Sequence, residues 1–130
     1  LIVAFLDMLE NHKMLVENSG LLTVAALKHL QVKKKKVVSI LSGGNMDIIT
    51  LSSVVQHGLI QRGRVFTVSV QLPDRPGELE KVAGILAQLQ GNVIRLEHNQ
   101  FVSINRNAAV ELRITLEAFG QEHKKEIIDT

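Results

Sequence analysis

The sequence predicts two unlike halves: an α/β segment over residues 1–61, then an α+β domain over residues 64–130 with the order strand, helix, strand, strand, helix. Three patterns carry this reading. Phe66, Val68, Val70 and Leu72 alternate with Val65, Thr67, Ser69 and Gln71, the period of a sheet with only one strongly apolar face. Val110, Leu112, Ile114 and Leu116 alternate with Glu111, Arg113, Thr115 and Glu117 in the same way. Val37-Val38-Ser39-Ile40-Leu41 is instead a continuous apolar run, the form of a strand buried on both faces of a parallel sheet. Between the patterns stands Gln61-Arg62-Gly63-Arg64, polar and glycine-containing, where the domain boundary is placed.

In order along the chain, residues 1–11 carry Val3, Leu6 and Leu9 at helical spacing. Glu17-Asn18-Ser19-Gly20 reads as a turn, with Asn18 or Ser19 placed to cap a second helix. That helix, residues 21–30, is apolar nearly all round, which predicts burial among neighbours that so small a domain struggles to supply. Lys33-Lys34-Lys35-Lys36 marks a solvated corner; no arginine or aromatic side chain accompanies it to make a phosphate or nucleic-acid patch. After the apolar run comes Ser42-Gly43-Gly44-Asn45, and Asp47 then caps a helix reaching about Leu59, with Ile48, Leu51 and Val55 inward.

Beyond the boundary, the first alternating strand stops at Leu72-Pro73-Asp74-Arg75-Pro76-Gly77, where two fixed φ angles and a glycine turn the chain into a helix. Leu79, Val82, Ala83, Leu86 and Leu89 fall on its inward side. Gly91-Asn92 leads into a second strand from Val93 to about Phe101, Ser103-Ile104-Asn105-Arg106-Asn107 makes a hairpin loop, and a third strand runs from Ala108 to Ala118. Charge sets the register of that hairpin. Leu96 opposite Ile114 places Glu97 opposite Arg113, whereas a slip of two would oppose Glu97 to Glu111 and Arg95 to Arg113.

With a final helix over residues 122–128, the order β-α-β-β-α is that of a ferredoxin-like fold whose last strand is missing. That strand would lie beside the first, so residues 65–72 offer an edge to a partner chain. Leu1 opens inside an apolar helical pattern with no cap, and no strand closes the far end, so both ends read as continuing elsewhere.

Composition excludes more than it assigns. A formal charge of +2 with four phenylalanines and no tyrosine or tryptophan gives neither the field nor the rings for nucleic acid. The absence of cysteine removes disulfide and thiolate chemistry and suits a reducing cytosol. His12, His29, His57, His98 and His123 form no paired metal-ligand spacing, so no metal site is expected. The apolar opening meets Asp7 far short of a membrane span, and no basic segment precedes it, so it is read as neither anchor nor signal peptide.

Two stretches remain as candidate sites. At the carboxyl end of a buried strand, Gly43 and Gly44 let backbone approach a ligand while the Ser42 hydroxyl donates or accepts one bond; turn geometry alone would use the same glycines. At the second turn, the N–H groups that open the helix can receive a carboxylate, yet a tight turn needs the same residues.

Residues 64–130, with Leu72-Pro73-Asp74-Arg75-Pro76-Gly77-Glu78-Leu79, resemble an ACT domain, the small module that binds amino-acid effectors in metabolic enzymes. Residues 37–45, together with Glu17-Asn18-Ser19-Gly20, resemble the end of the catalytic domain of threonine dehydratases, enzymes of the tryptophan-synthase-like pyridoxal-phosphate class. In this order they resemble the carboxyl third of a single-ACT, catabolic-type threonine dehydratase, or threonine ammonia-lyase. The resemblance implies that Ser42 bonds the pyridine nitrogen of pyridoxal phosphate, that Gly43 and Gly44 shape the wall behind the ring, and that residues 17–20 lie near it. A neutral hydroxyl at that nitrogen makes the ring a weaker electron sink than a carboxylate would, which lets loss of a β-hydroxyl compete.

For the parent enzyme the resemblance implies conversion of threonine to 2-oxobutyrate and ammonia in the cytoplasm. It also implies a homo-oligomer joined through ACT domains that binds isoleucine or valine, with no nucleic-acid or membrane partner. The effector residues by resemblance are Asp74, Arg75, Gly77, Glu78 and Leu79, with Asn92 near a second contact. Neither a Ser-Phe-Lys segment for the cofactor-binding lysine nor a glycine run for the cofactor phosphate occurs in the chain, so no catalytic residue is expected in it. Alone it is expected neither to hold the cofactor nor to turn over threonine. A non-catalytic ACT module for effector binding or dimerisation, with residues 1–61 as a docking element, is the alternative, as is a related serine dehydratase; an appended ACT domain argues against a racemase.

Overall fold

The structure, a computed structural model, describes residues 1–99 and 110–130. The chain forms two compact units, Leu1–Gln61 and Arg62–Thr130.

In the first unit, α1 (Ile2–His12) buries Ala4, Phe5, Leu6 and Met8, a stripe broader than the spacing of Val3, Leu6 and Leu9 predicts. It ends where Lys13 turns left-handed and its N–H reaches the Met8 carbonyl. Next come α2 (Leu22–Ala26), a 3-10 turn (Leu27–His29) and α3 (Ile48–Gln61). Asp47 caps α3 as expected: its Oδ1 accepts from Ile49 N at 3.0 Å and Thr50 N at 2.9 Å. Leu51, Val54 and Val55 pack on a core of Phe5, Leu6, Met8, Val16 and Leu21. Ile48, expected inward, is exposed, because at the first helical position it lies beyond that core.

Three further expectations for this unit are corrected. Neither Asn18 nor Ser19 caps α2; its N-cap is Leu21, with no side-chain bond, because the Ser19 hydroxyl is turned to Glu17 Oε1 at 2.5 Å. Of residues 21–30 only Leu21 is fully buried, and Leu22, Leu27 and Leu30 face outward for want of neighbours to cover them. Residues 37–41 form no strand, and Val38 is 89% exposed. A strand needs a second strand to take up its N–H and C=O groups, and this unit contains none.

The second unit is β1 (Val65–Leu72), α4 (Glu78–Gln88), β2 (Asn92–Asn99), β3 (Val110–Glu117) and α5 (Gln121–Asp129). The predicted order β-α-β-β-α is present. The strands form one antiparallel sheet in the order β1-β3-β2, an arrangement compatible with a ferredoxin-like domain. Leu96 stands opposite Ile114 and Glu97 opposite Arg113, the register that the charges predict. A bulge at Ile94 separates Val93 from Arg95, re-aiming the start of β2. The expected end of β2 near Phe101, the hairpin loop at residues 103–107 and the start of β3 at Ala108 lie outside the described residues.

One face of the sheet carries the core: Phe66, Leu112, Ile114 and Leu116 meet Leu86 of α4 and Ile127 of α5. Along α4 the inward stripe is Val82, Leu86 and Leu89, at i, i+4 and i+7. Leu79 and Ala83, expected with them, are exposed; Leu79 faces the turn before the helix, and Ala83 lies off the stripe. His123 ties the two helices together. Phe119 N–H donates to its Nδ1 at 3.0 Å, so Nε2 carries the proton and donates to the Leu89 carbonyl at 2.6 Å. Its ring also stacks on Phe119, with centroids 4.9 Å apart.

Candidate functional site

In the first unit, residues 15–23 and 40–46 interlock. Glu17 N–H donates to the Gly43 carbonyl at 3.1 Å, and Thr23 Oγ1 donates to the Ile40 carbonyl at 3.1 Å. Leu41 and Met46 enter the core on either side of Ser42-Gly43-Gly44, anchoring both ends of the segment. Gly43 takes a φ of 77°, a left-handed angle that costs a side-chain-bearing residue about 1–2 kcal/mol. Ser42 itself is exposed. A hydroxyl is thus presented from a backbone segment that packing and hydrogen bonds hold, with two side-chain-free residues after it. The donor set fits a flat heteroaromatic ring that needs one neutral hydrogen-bond partner and backbone-close approach. Residues 17–20, placed near this site by resemblance, are in contact with it.

In the second unit, residues 72–79 wrap a cavity of about 280 Å³ at the end of β1. Arg75 N–H closes the turn onto the Pro73 carbonyl at 2.8 Å, and Gly77, with a φ of 92°, opens α4 without a side-chain cap. Asp74, Arg75, Gly77, Glu78 and Leu79, the residues that the resemblance names, all line the cavity. The Glu78 carboxylate is taken by Lys81 Nζ at 2.8 Å and the Glu78 N–H donates to the Arg75 carbonyl at 3.4 Å, so the remaining N–H groups of the first turn of α4 are the groups there suited to an anion. Leu72, Leu79, Val110 and Leu112 give the cavity an apolar wall, which suits a branched aliphatic side chain.

Asn92 is not brought to this turn. It pairs across the sheet with Glu117, at the opposite end of β3 from Val110, and its Nδ2 donates to Glu117 Oε2 at 3.1 Å. His98, not singled out from the sequence, lines the cavity instead. The signal for it was present: once Leu96 faces Ile114 on the core side, His98 falls opposite Leu112 on the same side, two residues on.

The open face of the sheet is polar and internally bonded. Arg95 and Glu97 pair at 2.7 Å, Arg113 and Glu111 at 3.5 Å, and the Thr67 and Thr115 hydroxyls meet at 3.0 Å. The Ser69 hydroxyl donates to the Glu111 carboxylate and, with Arg113 beside it, holds that group below the usual glutamate range. Among the described residues no three histidine, aspartate or glutamate side chains gather as a metal ion would require, and no helix is long and apolar enough to cross a membrane.

No protein-family model matches the chain, and no solved structure matches it. Curated relatives do. A protein of Thermotoga maritima named L-threonine ammonia-lyase is 35% identical over 125 residues, covering 95% of this chain and 31% of the relative. One of the same name from Geobacter sulfurreducens is 37% identical over 128 residues, covering 97% of this chain and 32% of the relative. A Corynebacterium glutamicum protein named L-threonine dehydratase biosynthetic IlvA is 33% identical over 75 residues, 57% of this chain and 17% of the relative. The chain therefore spans about a third of the length of the first two relatives, and is homologous to that part of them along nearly its whole length.

Proposed function

We propose that this chain, homologous along nearly its whole length to about a third of an L-threonine ammonia-lyase, is the carboxyl-terminal region of such an enzyme: residues 1–61 close the catalytic domain, and residues 64–130 form an ACT domain. The carrying observation is the 35% and 37% identity to two relatives of that name over 95% and 97% of the chain. The complete protein converts L-threonine to 2-oxobutyrate and ammonia in the cytoplasm.

Pyridoxal phosphate, when bound, supplies the electron sink for loss of the α-proton and the β-hydroxyl. Ser42 would hold the ring nitrogen through its hydroxyl, and Gly43 and Gly44, lacking side chains, would leave room for the ring beside the backbone. Because a serine hydroxyl carries no charge, Ser42 would not favour protonation of that nitrogen as a carboxylate would, and the group would then be a weaker electron sink, suited to elimination. The lysine and glycine run that complete the site lie outside these 130 residues, so the chain alone is not a catalyst.

The second unit is the sensor. Its cavity at residues 72–79 takes the carboxylate of isoleucine or valine on the N–H groups at the start of α4 and the aliphatic side chain against Leu72, Leu79, Val110 and Leu112. Two copies pair through the free edge of β1, and Asn92 contributes from elsewhere in that assembly. Calorimetric titration of isoleucine, and separately of valine, into the complete protein tests the sensor. Gly77→Leu abolishes the heat of binding while the circular dichroism stays nearly intact; undiminished heat would remove the turn from the site.

A further inference from the structure

Gly20 is buried, and a Cβ built on it would overlap the carbonyl oxygen of Ser42 and press Val16 Cγ1 at 2.9 Å. A Cβ on Gly43 would in turn overlap the Glu17 carboxyl group. The two loops meet glycine against backbone, and Glu17 N–H then bonds the Gly43 carbonyl at 3.1 Å. The Glu17 side chain can swing away from Gly43, but the contact at Gly20 does not yield easily. The atom that Gly20 accommodates is main chain, and the residues on either side of Ser42 are fixed, Leu41 by the core and Gly43 by its hydrogen bond.

We propose that Gly20 is a positioning residue for Ser42: by lacking a Cβ it admits the Ser42 carbonyl, and this seat, with the Glu17 N–H to Gly43 bond, sets the direction in which the Ser42 hydroxyl points. The inference rests on the reading of Ser42 as the partner of the pyridine nitrogen. Any side chain at position 20 pushes the Ser42 peptide outward and swings its hydroxyl off that nitrogen, and a misplacement of about 1 Å at a reacting group costs on the order of 100-fold in rate. Thr23 acts in the same sense and more weakly, because its hydroxyl ties the Ile40 carbonyl two residues before Ser42.

The test is a double-substitution cycle in the complete protein, read by pyridoxal-phosphate affinity and by the absorption and emission maxima of the bound cofactor. Gly20→Ala weakens cofactor binding by about 10-fold or more and shifts the maxima in the same direction as Ser42→Ala. In the Ser42→Ala background, Gly20→Ala adds no further shift. An equal effect of Gly20→Ala with and without Ser42 would make Gly20 a packing residue only and overturn the proposal. Thr23→Val, a milder change at an exposed residue, gives a smaller shift of the same sign and serves if Gly20→Ala does not fold; unchanged maxima and affinity in Thr23→Val would then overturn it. Ser42→Ala with unaltered maxima would instead sink the reading of Ser42 itself.

Discussion

Glu97 of β2 stands directly opposite Arg113 of β3, with Oε2 and Nη1 4.0 Å apart, at the centre of an alternating row Arg95, Glu97, Arg113, Glu111. A slip of two residues would bring like charges face to face along the whole row, so the row selects the register rather than merely decorating it. Arg113→Glu is expected to destabilise the chain by about 1 kcal/mol. Adding Glu97→Arg should recover roughly half of that, because the exchanged pair is again opposite in sign. Urea unfolding midpoints of the two variants check this; a double variant no more stable than Arg113→Glu would remove the pair from register selection.

Ile114 is 1% exposed and lies between Val68 on β1 and Leu96 on β2. Ile114→Ala leaves a hole at the middle strand that α4 and α5 cannot both fill, and should cost about 2–5 kcal/mol. Ile128→Ala, at a position of α5 that is 52% exposed, should cost under about 1 kcal/mol by the same measurement.

Asp47 predicts the acid response of the first unit. The Thr50 hydroxyl, at 2.5 Å from Oδ2, and then the Thr50 N–H hold its carboxyl below the ordinary aspartate value. A carboxyl depressed on folding stabilises the folded state above its unfolded pKa, about 3.9, and loses that contribution as pH falls through the lower folded value. Helical circular dichroism should therefore fall on acidification below about pH 4 by less in Asp47→Asn than in the parent chain. Equal losses would show that the cap does not couple to protonation.

What the sequence made legible follows from what is local. In the second unit, β1 and β3 announce themselves by alternation, and opposite charges fix the pairing of β2 with β3, so that hairpin could be written down with its register, whereas the register of β1 against β3 could not. Inside α4 the same reasoning overreached at Leu79 and Ala83, because helical spacing gives a broad apolar arc while the sheet covers only the stripe of Val82, Leu86 and Leu89. The turn into β2 takes its left-handed residue at Gln90, with a φ of 56°, although glycine follows it, because the Gly91 N–H is committed to the Leu86 carbonyl at 2.9 Å. Residues 37–41 illustrate the opposite limit: an apolar run is a strand only where another strand pairs with it, and composition cannot supply the partner. At the first candidate site, the grouping of residues 17–20 with Ser42 came from resemblance, whereas the seat of the Ser42 carbonyl on Gly20 needed coordinates.

The outer edge of β1 has no neighbouring strand among the described residues, and beside it Val68, Val70, Val82, Ile85, Ile127 and Ile128 line an apolar groove of about 420 Å³. An unpaired edge next to apolar surface favours association. Sedimentation equilibrium of the chain should give the mass of a dimer. A monomer at high concentration would count against pairing through this edge.

The most direct measurement is the rate of 2-oxobutyrate release from L-threonine by the complete natural protein, with and without isoleucine. Turnover of threonine that changes when isoleucine is added is the predicted result, since it requires both the catalytic and the sensing half. Absence of 2-oxobutyrate at any isoleucine concentration, from protein loaded with pyridoxal phosphate, would contradict it.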